Sequence, residues 1–404
     1  MLIDVVRRFD EVDAILRFRA AWLDYGMDPQ WIPARVGDAL HSVDTPALIL
    51  DLDRFEANLS RLMNAIQGRA VRVRPHAKSH KCVEIARRQI AAGAIGICCQ
   101  KTSEAAPFLA AGISDVLITN EVIGQRKTER LAQLAASFPV SKVGVCVDNT
   151  RAVTDLARAC ERADSTLDVY IELDVGHDRA GVTAIEDVVV LGQEIGMHRK
   201  LSLRGLQAYF GNAQHRRTPS ERRDAIATAT SLARRAKAAL VEAGLPCEIV
   251  TGAGTGTFLL EATSGVYNEI QPGSYAMMDV DYAKNETEPS WPAFDQSMFI
   301  LTTVMSRRKD ALSDRATLDA GLKSFSTDSG PAWPAFAGWQ VRGVSDEHTV
   351  LERIGAGNEL ALGDKPLLIP GHIDPTVNLH DWIVAVRNDR VEAVWPIDAR
   401  GAIF

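Results

Sequence analysis

Lys78 lies in the string RPHAKSHK, where His76, His80, Arg74 and Lys81 stand within four residues of one primary amine. A lysine at the end of a strand is ordinarily a solvated charge. One crowded by like charge gives up its proton more readily, and attack on a carbonyl needs that neutral amine. The chemistry implied is Schiff-base formation. Far along the chain, PGHIDPT sets one imidazole, His372, two residues from one carboxylate, Asp374. If that stretch is extended, both side chains leave the same side of the backbone. One nitrogen and one oxygen ligand, completed by water and substrate, suit a divalent cation such as Mn²⁺, Mg²⁺, Co²⁺ or Zn²⁺. Two glycine-rich stretches, TGAGTGT and QPGSY, have the composition of turns whose backbone N–H groups and hydroxyls hold a phosphate. TGAGTGT does not read as a dinucleotide fingerprint. It comes late in the chain, and no acidic residue on a following strand is placed for a ribose.

These groups need elements to carry them. Nine short β-rich runs alternate with helical stretches, at 47–53, 70–76, 94–100, 115–121, 142–148, 167–176, 203–211, 247–254 and 269–277. Stretches such as SERRDAIATATSLARRAKAALVEAG carry apolar residues at helical spacing between charges. Strand, helix, strand, repeated, predicts a parallel sheet with crossover helices. Eight of the runs suffice to close a (β/α)8 barrel, which leaves one early strand to pair elsewhere. A doubly wound open sheet is the alternative. The active site of such a barrel lies at the carboxyl ends of its strands. The runs here end in His76 and Lys78, Gln100, Asn120, Asp148, Asp174, Tyr209 and the TGAGTGT turn. After about residue 290 the pattern becomes strands joined by turns, WIVAVRNDRVEAVWPI being the clearest hairpin. The expected units are a helical N-terminal extension over 1–44, packing on the β domain, a barrel over 45–288, and a C-terminal antiparallel β domain over 289–404 that carries the His372/Asp374 pair.

Composition narrows the partners. The chain has 404 residues, a net charge of −7 and a 46% hydrophobic fraction, as a globular protein with a full core should. No basic stripe suggests nucleic acid. No run approaches the ~20 apolar residues of a membrane span, and the acidic N-terminal stretch does not read as a secretory signal. Six cysteines without paired C-x-x-C motifs read as buried thiols in a reducing cytoplasm.

The string RPHAKSHK resembles the RPH-x-K-T-H-K segment of the D-threonine aldolase, 3-hydroxy-D-aspartate aldolase and D-serine dehydratase family. These are fold-type III pyridoxal-phosphate enzymes related to alanine racemase. GICCQKTSEA, LQAYFGNAQH, SGVYNEIQPGSYAMMDVDY and PGHIDPTVNLHDW extend the resemblance in order from Asp44 to the C-terminus. It implies pyridoxal 5′-phosphate on Lys78. Arg179 would face the pyridine nitrogen and keep it unprotonated. Tyr209 and Gln100 would lie near the cofactor, and Thr255, Gly273, Ser274 and Tyr282 would hold its phosphate. It also implies a divalent metal, Mn²⁺ first, on His372 and Asp374, and a homodimer. Aldolases of the group carry Asp where Asp374 stands, and dehydratases tend to carry Cys. The implied reaction is retro-aldol cleavage of a D-β-hydroxy-α-amino acid to glycine and an aldehyde, with His215 as the base for the β-hydroxyl. The alternative is dehydration to a keto acid and ammonia. A 3-hydroxy-D-aspartate substrate would call for a cation, which Arg216 or Arg217 offers. A non-catalytic cofactor carrier is disfavoured by the C-terminal pair, and a metal-dependent barrel hydrolase by a lysine between the two histidines. The chain departs from patterns common in the family at Ala180, Phe210, Ala253, Val280 and Ile373.

Overall fold

The computed structural model describes residues 32–310 and 313–404. The expected N-terminal helices fall mainly on 1–31, outside the described residues. Residues that follow them lie along the C-terminal hairpin, where the Gly37 N–H donates to Val391 O and the Val391 N–H to Asp38 O.

Eight parallel strands form one ring: β2 (Arg72–Val73), β3 (Ile97–Cys99), β4 (Asp115–Glu121), β5 (Lys142–Val147), β6 (Leu167–Glu172), β7 (Leu201–Gln207), β8 (Ile249–Gly252) and β9 (Glu269–Ile270). Neighbours pair in chain order from β3 to β9, and β9 pairs with β2. The ring closes between β2 and β3, where Ile95 N–H reaches Val73 O at 2.9 Å and Cys98 N–H reaches Pro75 O at 2.8 Å. The barrel is therefore present and the open sheet is not. β2 and β9 are much shorter than the runs 70–76 and 269–277 because Pro75 and Pro272, lacking an N–H, interrupt the ladder.

The crossover helices include α2 (Val83–Ala91), α3 (Thr102–Ala110), α4 (Gln125–Ser137), α5 (Thr150–Ala163), α6 (Ile185–Gly196) and α7 (Pro219–Glu242). α7 starts on a capping box. Thr218 accepts from Glu221 N–H, the Glu221 carboxylate accepts from Thr218 N–H, and Pro219 occupies the first turn. The apolar faces of these helices and the outer faces of the strands share one core. Inside the ring, Cys98, Leu117, Cys146, Tyr170 and Ile249 from five strands make a separate plug. Across the interior, Arg74 pairs with Glu269 at 2.9 Å and with Asp115 at 2.5 Å.

The ninth run is β1 (Ala47–Asp51), which leaves the barrel as expected and joins a second sheet. It lies between β10 (Met298–Leu301) and β17 (Trp382–Arg387), with β18 (Arg390–Pro396), β16 (Leu367–Ile369) and β13 (Trp333–Pro334) outside them. Its pairing with β17 is parallel, so this sheet is mixed and not wholly antiparallel as expected. A four-stranded antiparallel sheet holds β11 (Val304–Asp310), β12 (Ser313–Leu318), β14 (Trp339–Val344) and β15 (Thr349–Arg353). Helix α1 (Leu52–Ile66) follows β1 and buries Phe55, Leu59 and Leu62 in a core shared with both sheets. In the β17–β18 hairpin, Asn388 and Asp389 have φ of 50° and 56°, the left-handed pair that a two-residue turn needs. All six cysteines are buried free thiols.

Candidate active site

Lys78 sits on a single 3-10 turn just beyond β2, at the carboxyl end of the barrel. Its Nζ is hydrogen-bonded to Asp374 Oδ2, so residues nearly 300 positions apart in sequence meet at one point. The cationic crowding expected from sequence is absent. His76 and His80 are buried, and burial pushes both imidazoles down, His80 to about 4. Arg74 is paired as described, and Lys81 lies 3.1 Å from Glu104. Burial works against the Lys78 ammonium, but the Asp374 carboxylate and Tyr209 outweigh it and hold its pKa up.

Asp374 and His372 meet by a geometry other than the expected extended one. His372 is extended (φ −148°), but Ile373–Val377 form a short helix, α10. Pro375 favours it, because a proline is tolerated in the first turn, where its missing N–H costs nothing. The pair still converges, with His372 Nε2 3.9 Å from Asp374 Oδ1. His372 Nδ1 lies 2.7 Å from the Asp328 carboxylate. A carboxylate only accepts, so Asp328 fixes the N–H on Nδ1 and turns the Nε2 lone pair toward Asp374. Asp374 Oδ1 is buried with no hydrogen-bond partner. An orphaned carboxylate oxygen facing an oriented imidazole nitrogen is a donor set that fits a divalent cation. Among the described residues no group of three His, Cys, Asp or Glu side chains is arranged to hold a metal, so a cation here would have two ligands from this chain.

Several predicted residues surround Lys78. The electrostatic influence of Lys78, Arg179 and Asp374 reaches Tyr209, whose phenol is pushed up mainly by burial. Arg179 itself is exposed on the loop after β6. Gln100 Nε2 contacts His76 Nε2 at 2.9 Å and Thr119 Oγ1 at 3.1 Å, which places it one residue away from Lys78 in the same network. Gly273 backs onto β2: a Cβ there would stand 3.2 Å from His76 O and 3.3 Å from Ser79 Oγ, so only glycine fits without displacement. Thr255 is buried and accepts from Tyr275 N–H at 3.0 Å. Ser274 is buried, with no side-chain hydrogen bond among the described residues. Gln214 pins the TGAGTGT turn, accepting from Gly256 N–H at 3.0 Å and donating to Thr257 Oγ1 at 2.8 Å. The chain passes so close there that a Cβ at Gly256 would lie 2.3 Å from Gln214 O. A lysine amine, a tight glycine turn and two buried hydroxyls are groups that fit a phosphorylated aldehyde cofactor.

His215 ends the 3-10 turn Gly211–His215, with its ring 5.1 Å from that of Tyr282. Arg217 bonds to Asp281 and Asn285 and so is already committed, whereas Arg216 lies over the Phe210 ring at 5.8 Å. Sequence reasoning missed Asp279, whose carboxylate accepts from both Tyr282 N–H and Ile373 N–H and thereby joins the cofactor segment to the His372 segment. The run DVDY, with two carboxylates just before Tyr282, was the available signal.

Residues 50–280 match the alanine racemase N-terminal domain family, and residues 297–386 match the putative serine dehydratase domain family. The chain is 46% identical to a D-threonine aldolase of Arthrobacter sp. over 91% of its length and 96% of that protein. It belongs to the D-threonine aldolase family. It is 41% identical to a 3-hydroxy-D-aspartate aldolase of Paracoccus denitrificans, over 92% of the chain and 95% of the relative. The crystal structure of D-threonine aldolase from Filomicrobium marinum superposes with a TM-score of 0.87 at 45% identity, covering 92% of this chain and all of that one. A D-threo-3-hydroxyaspartate dehydratase of Delftia sp. is more distant, at 28% identity over 83% of this chain and 92% of that protein. The chain is thus a carbon–carbon lyase on an alanine racemase-like barrel, and its family supports pyridoxal phosphate as the cofactor. Among the described residues no helix is long and apolar enough to cross a membrane.

Proposed function

We propose that this enzyme cleaves the Cα–Cβ bond of D-β-hydroxy-α-amino acids of the D-threonine or 3-hydroxy-D-aspartate type, releasing glycine and an aldehyde. The observation that carries this is the meeting of Lys78 with the His372/Asp374 pair, in a chain 40–46% identical to aldolases of these substrates. Lys78 would hold the pyridoxal phosphate through its amine. Thr255, Gly273, Ser274 and Tyr282 would hold its phosphate, and Tyr209, Gln100 and Arg179 would bind its ring. Pyridoxal phosphate, when bound, supplies the electron sink for the pair released from Cα–Cβ.

His372 and Asp374 hold a divalent cation, Mn²⁺ first among the candidates, whose Lewis acidity would act on the β-hydroxyl. His215 takes the β-hydroxyl proton onto its ring. Its pKa is held down by burial, so the imidazole is neutral and able to accept at physiological pH. The β-carbon leaves as the aldehyde and Cα gains a proton, which gives glycine. The enzyme acts as a homodimer in the cytoplasm. An aldehyde-trapping assay on D- and L-threonine tests the reading. Aldehyde from the D enantiomer only is expected; aldehyde from L-threonine at a comparable rate, or from neither, would overturn it.

A further inference from the structure

His215 is partly exposed, with its side chain 42% accessible, yet one edge of its ring is anchored. Its Nδ1 lies 2.8 Å from Asp281 Oδ2, and that carboxylate is only 11% exposed. Arg217 clamps the same aspartate from behind. One guanidinium nitrogen bonds to Asp281 Oδ1, and the other donates to Asp281 O and to Asn285 Oδ1, each at 2.7 Å. Asn285 in turn donates to Gln214 O at 2.8 Å, next to His215 itself. Asp281 N–H donates to Gly371 O at 3.2 Å, immediately before His372. The Tyr282 ring lies against one face of the imidazole, with centroids 5.1 Å apart. The imidazole thus cannot turn without breaking a charge-assisted contact.

We propose that Asp281, clamped by Arg217, is a positioning residue that fixes His215 in the tautomer with an unprotonated Nε2. This rests on the reading of His215 as the base for the β-hydroxyl. An ionised carboxylate can only accept, so the neutral ring must place its proton on Nδ1 and leave Nε2 as the acceptor. Without that partner the imidazole divides between two tautomers, and only one can take a proton at Nε2. Arg217 balances the aspartate, so the pair orients the ring without charging it. The arrangement has the logic of the orienting aspartate in hydrolase triads, here built from a barrel turn and the short helix α9 (Val280–Ala283).

Asp281→Asn is the direct test, because the Arg217 bonds to Asp281 O and Asn285 do not involve the carboxylate. The side-chain amide offers an N–H to Nδ1 and so favours the proton on Nε2. Asp281→Ala, which gives Nδ1 no partner, is the second variant. The enzyme loaded with pyridoxal phosphate and Mg²⁺ is labelled with ¹⁵N-histidine. Two-bond ¹H–¹⁵N spectra report the tautomer, with the His215 signals assigned by their absence in His215→Asn. Steady-state kinetics on D-threonine accompany the spectra. The expected result is a single Nδ1–H tautomer in the wild type, an Nε2–H form in Asp281→Asn and a mixture in Asp281→Ala. With these goes a kcat loss of roughly 10²- to 10³-fold, with KM within about twofold. An unchanged tautomer in both variants would overturn the proposal. A changed tautomer with full activity, in the variants and in His215→Asn alike, would remove His215 as the base and with it the catalytic purpose of the clamp, while the reaction itself stood.

Discussion

Lys78 and Asp374 each have a buried or half-buried charge that finds its partner in the other domain. Residue chemistry here is therefore the chemistry of an interface within the chain. Two substitutions separate their roles. Lys78→Ala removes the amine proposed to carry the cofactor, and a loss of at least about 10³-fold in kcat is expected, together with loss of bound-cofactor absorbance. In the proposed reading Mn²⁺ reactivates chelator-treated enzyme, and Asp374→Ala should keep that absorbance but lose the reactivation. Titration of both variants with cofactor and with metal checks the separation; a Mn²⁺ response surviving in Asp374→Ala would contradict the metal assignment. At this scale the motifs RPHAKSHK and PGHIDPT pointed to residues that the structure brings together, Lys78 and Asp374, though not to their electrostatics or backbone geometry. The sequence was not legible where a partner lay far away in the chain. Nothing in the local string around Lys78 reveals that Arg74 is neutralised by Glu269 and Asp115, or that His76 and His80 are uncharged.

The elements that carry the site are short turns, and their backbone geometry sets what each position tolerates. Ala253, in the TGAGTGT turn, has φ +67° and is buried, a conformation more natural to glycine. Ala253→Gly relieves that strain but adds freedom to the unfolded chain, so stability should stay within about 0.5 kcal/mol of wild type. Ala253→Val should cost about 2 kcal/mol or more, because a β-branched residue resists a left-handed backbone in a packed place. Urea unfolding of the two variants checks both values. The following helix, α8 (Phe258–Thr263), buries Glu261, which accepts from Thr257 Oγ1 at 2.8 Å and leaves Oε2 without a partner. Burial pushes its carboxyl up to about 7, against the Thr257 bond. Unfolded, the same carboxyl ionises at an ordinary pH near 4.3. Between those two values the unfolded chain binds fewer protons than the folded one, so this group's contribution to stability falls as pH rises. The loss is complete above pH 7, at about 4 kcal/mol. Glu261→Gln should therefore gain stability over wild type at pH 8 relative to pH 5, and an equal difference at both pH values would contradict the assignment. Strand lengths and α10 were misread from sequence for one reason. Proline ended the β2 and β9 ladders early, yet was accommodated in the first turn of a helix after His372.

On the scale of the whole molecule, the barrel and the β domain are stitched together by chain crossings. β1 leaves for the mixed sheet before the barrel begins, and the segment after β16 returns to the barrel mouth to deliver His372 and Asp374. The alternation of strands and helices revealed the ring, and an odd count of nine runs revealed the strand that had to leave it. The parallel β1–β17 pair was invisible, because pairing across more than 330 residues has no local signature. The barrel interior depends on Arg74 having both carboxylates. Glu269→Ala leaves that buried guanidinium with Asp115 alone and should cost about 3–5 kcal/mol, read as a lowered urea midpoint. A change under 1 kcal/mol would mean that water replaces the lost partner. The chain is a carbon–carbon lyase, and in the proposed reading the Lys78 amine, the His215 imidazole and the His372/Asp374 pair serve to break a carbon–carbon bond and spare the carbon–oxygen bond. The most direct measurement is product stoichiometry from D-threonine, using purified enzyme with pyridoxal phosphate and Mn²⁺. Equimolar glycine and acetaldehyde, absent in Lys78→Ala and Asp374→Ala, is the expected result; ammonia and a keto acid without glycine would contradict it.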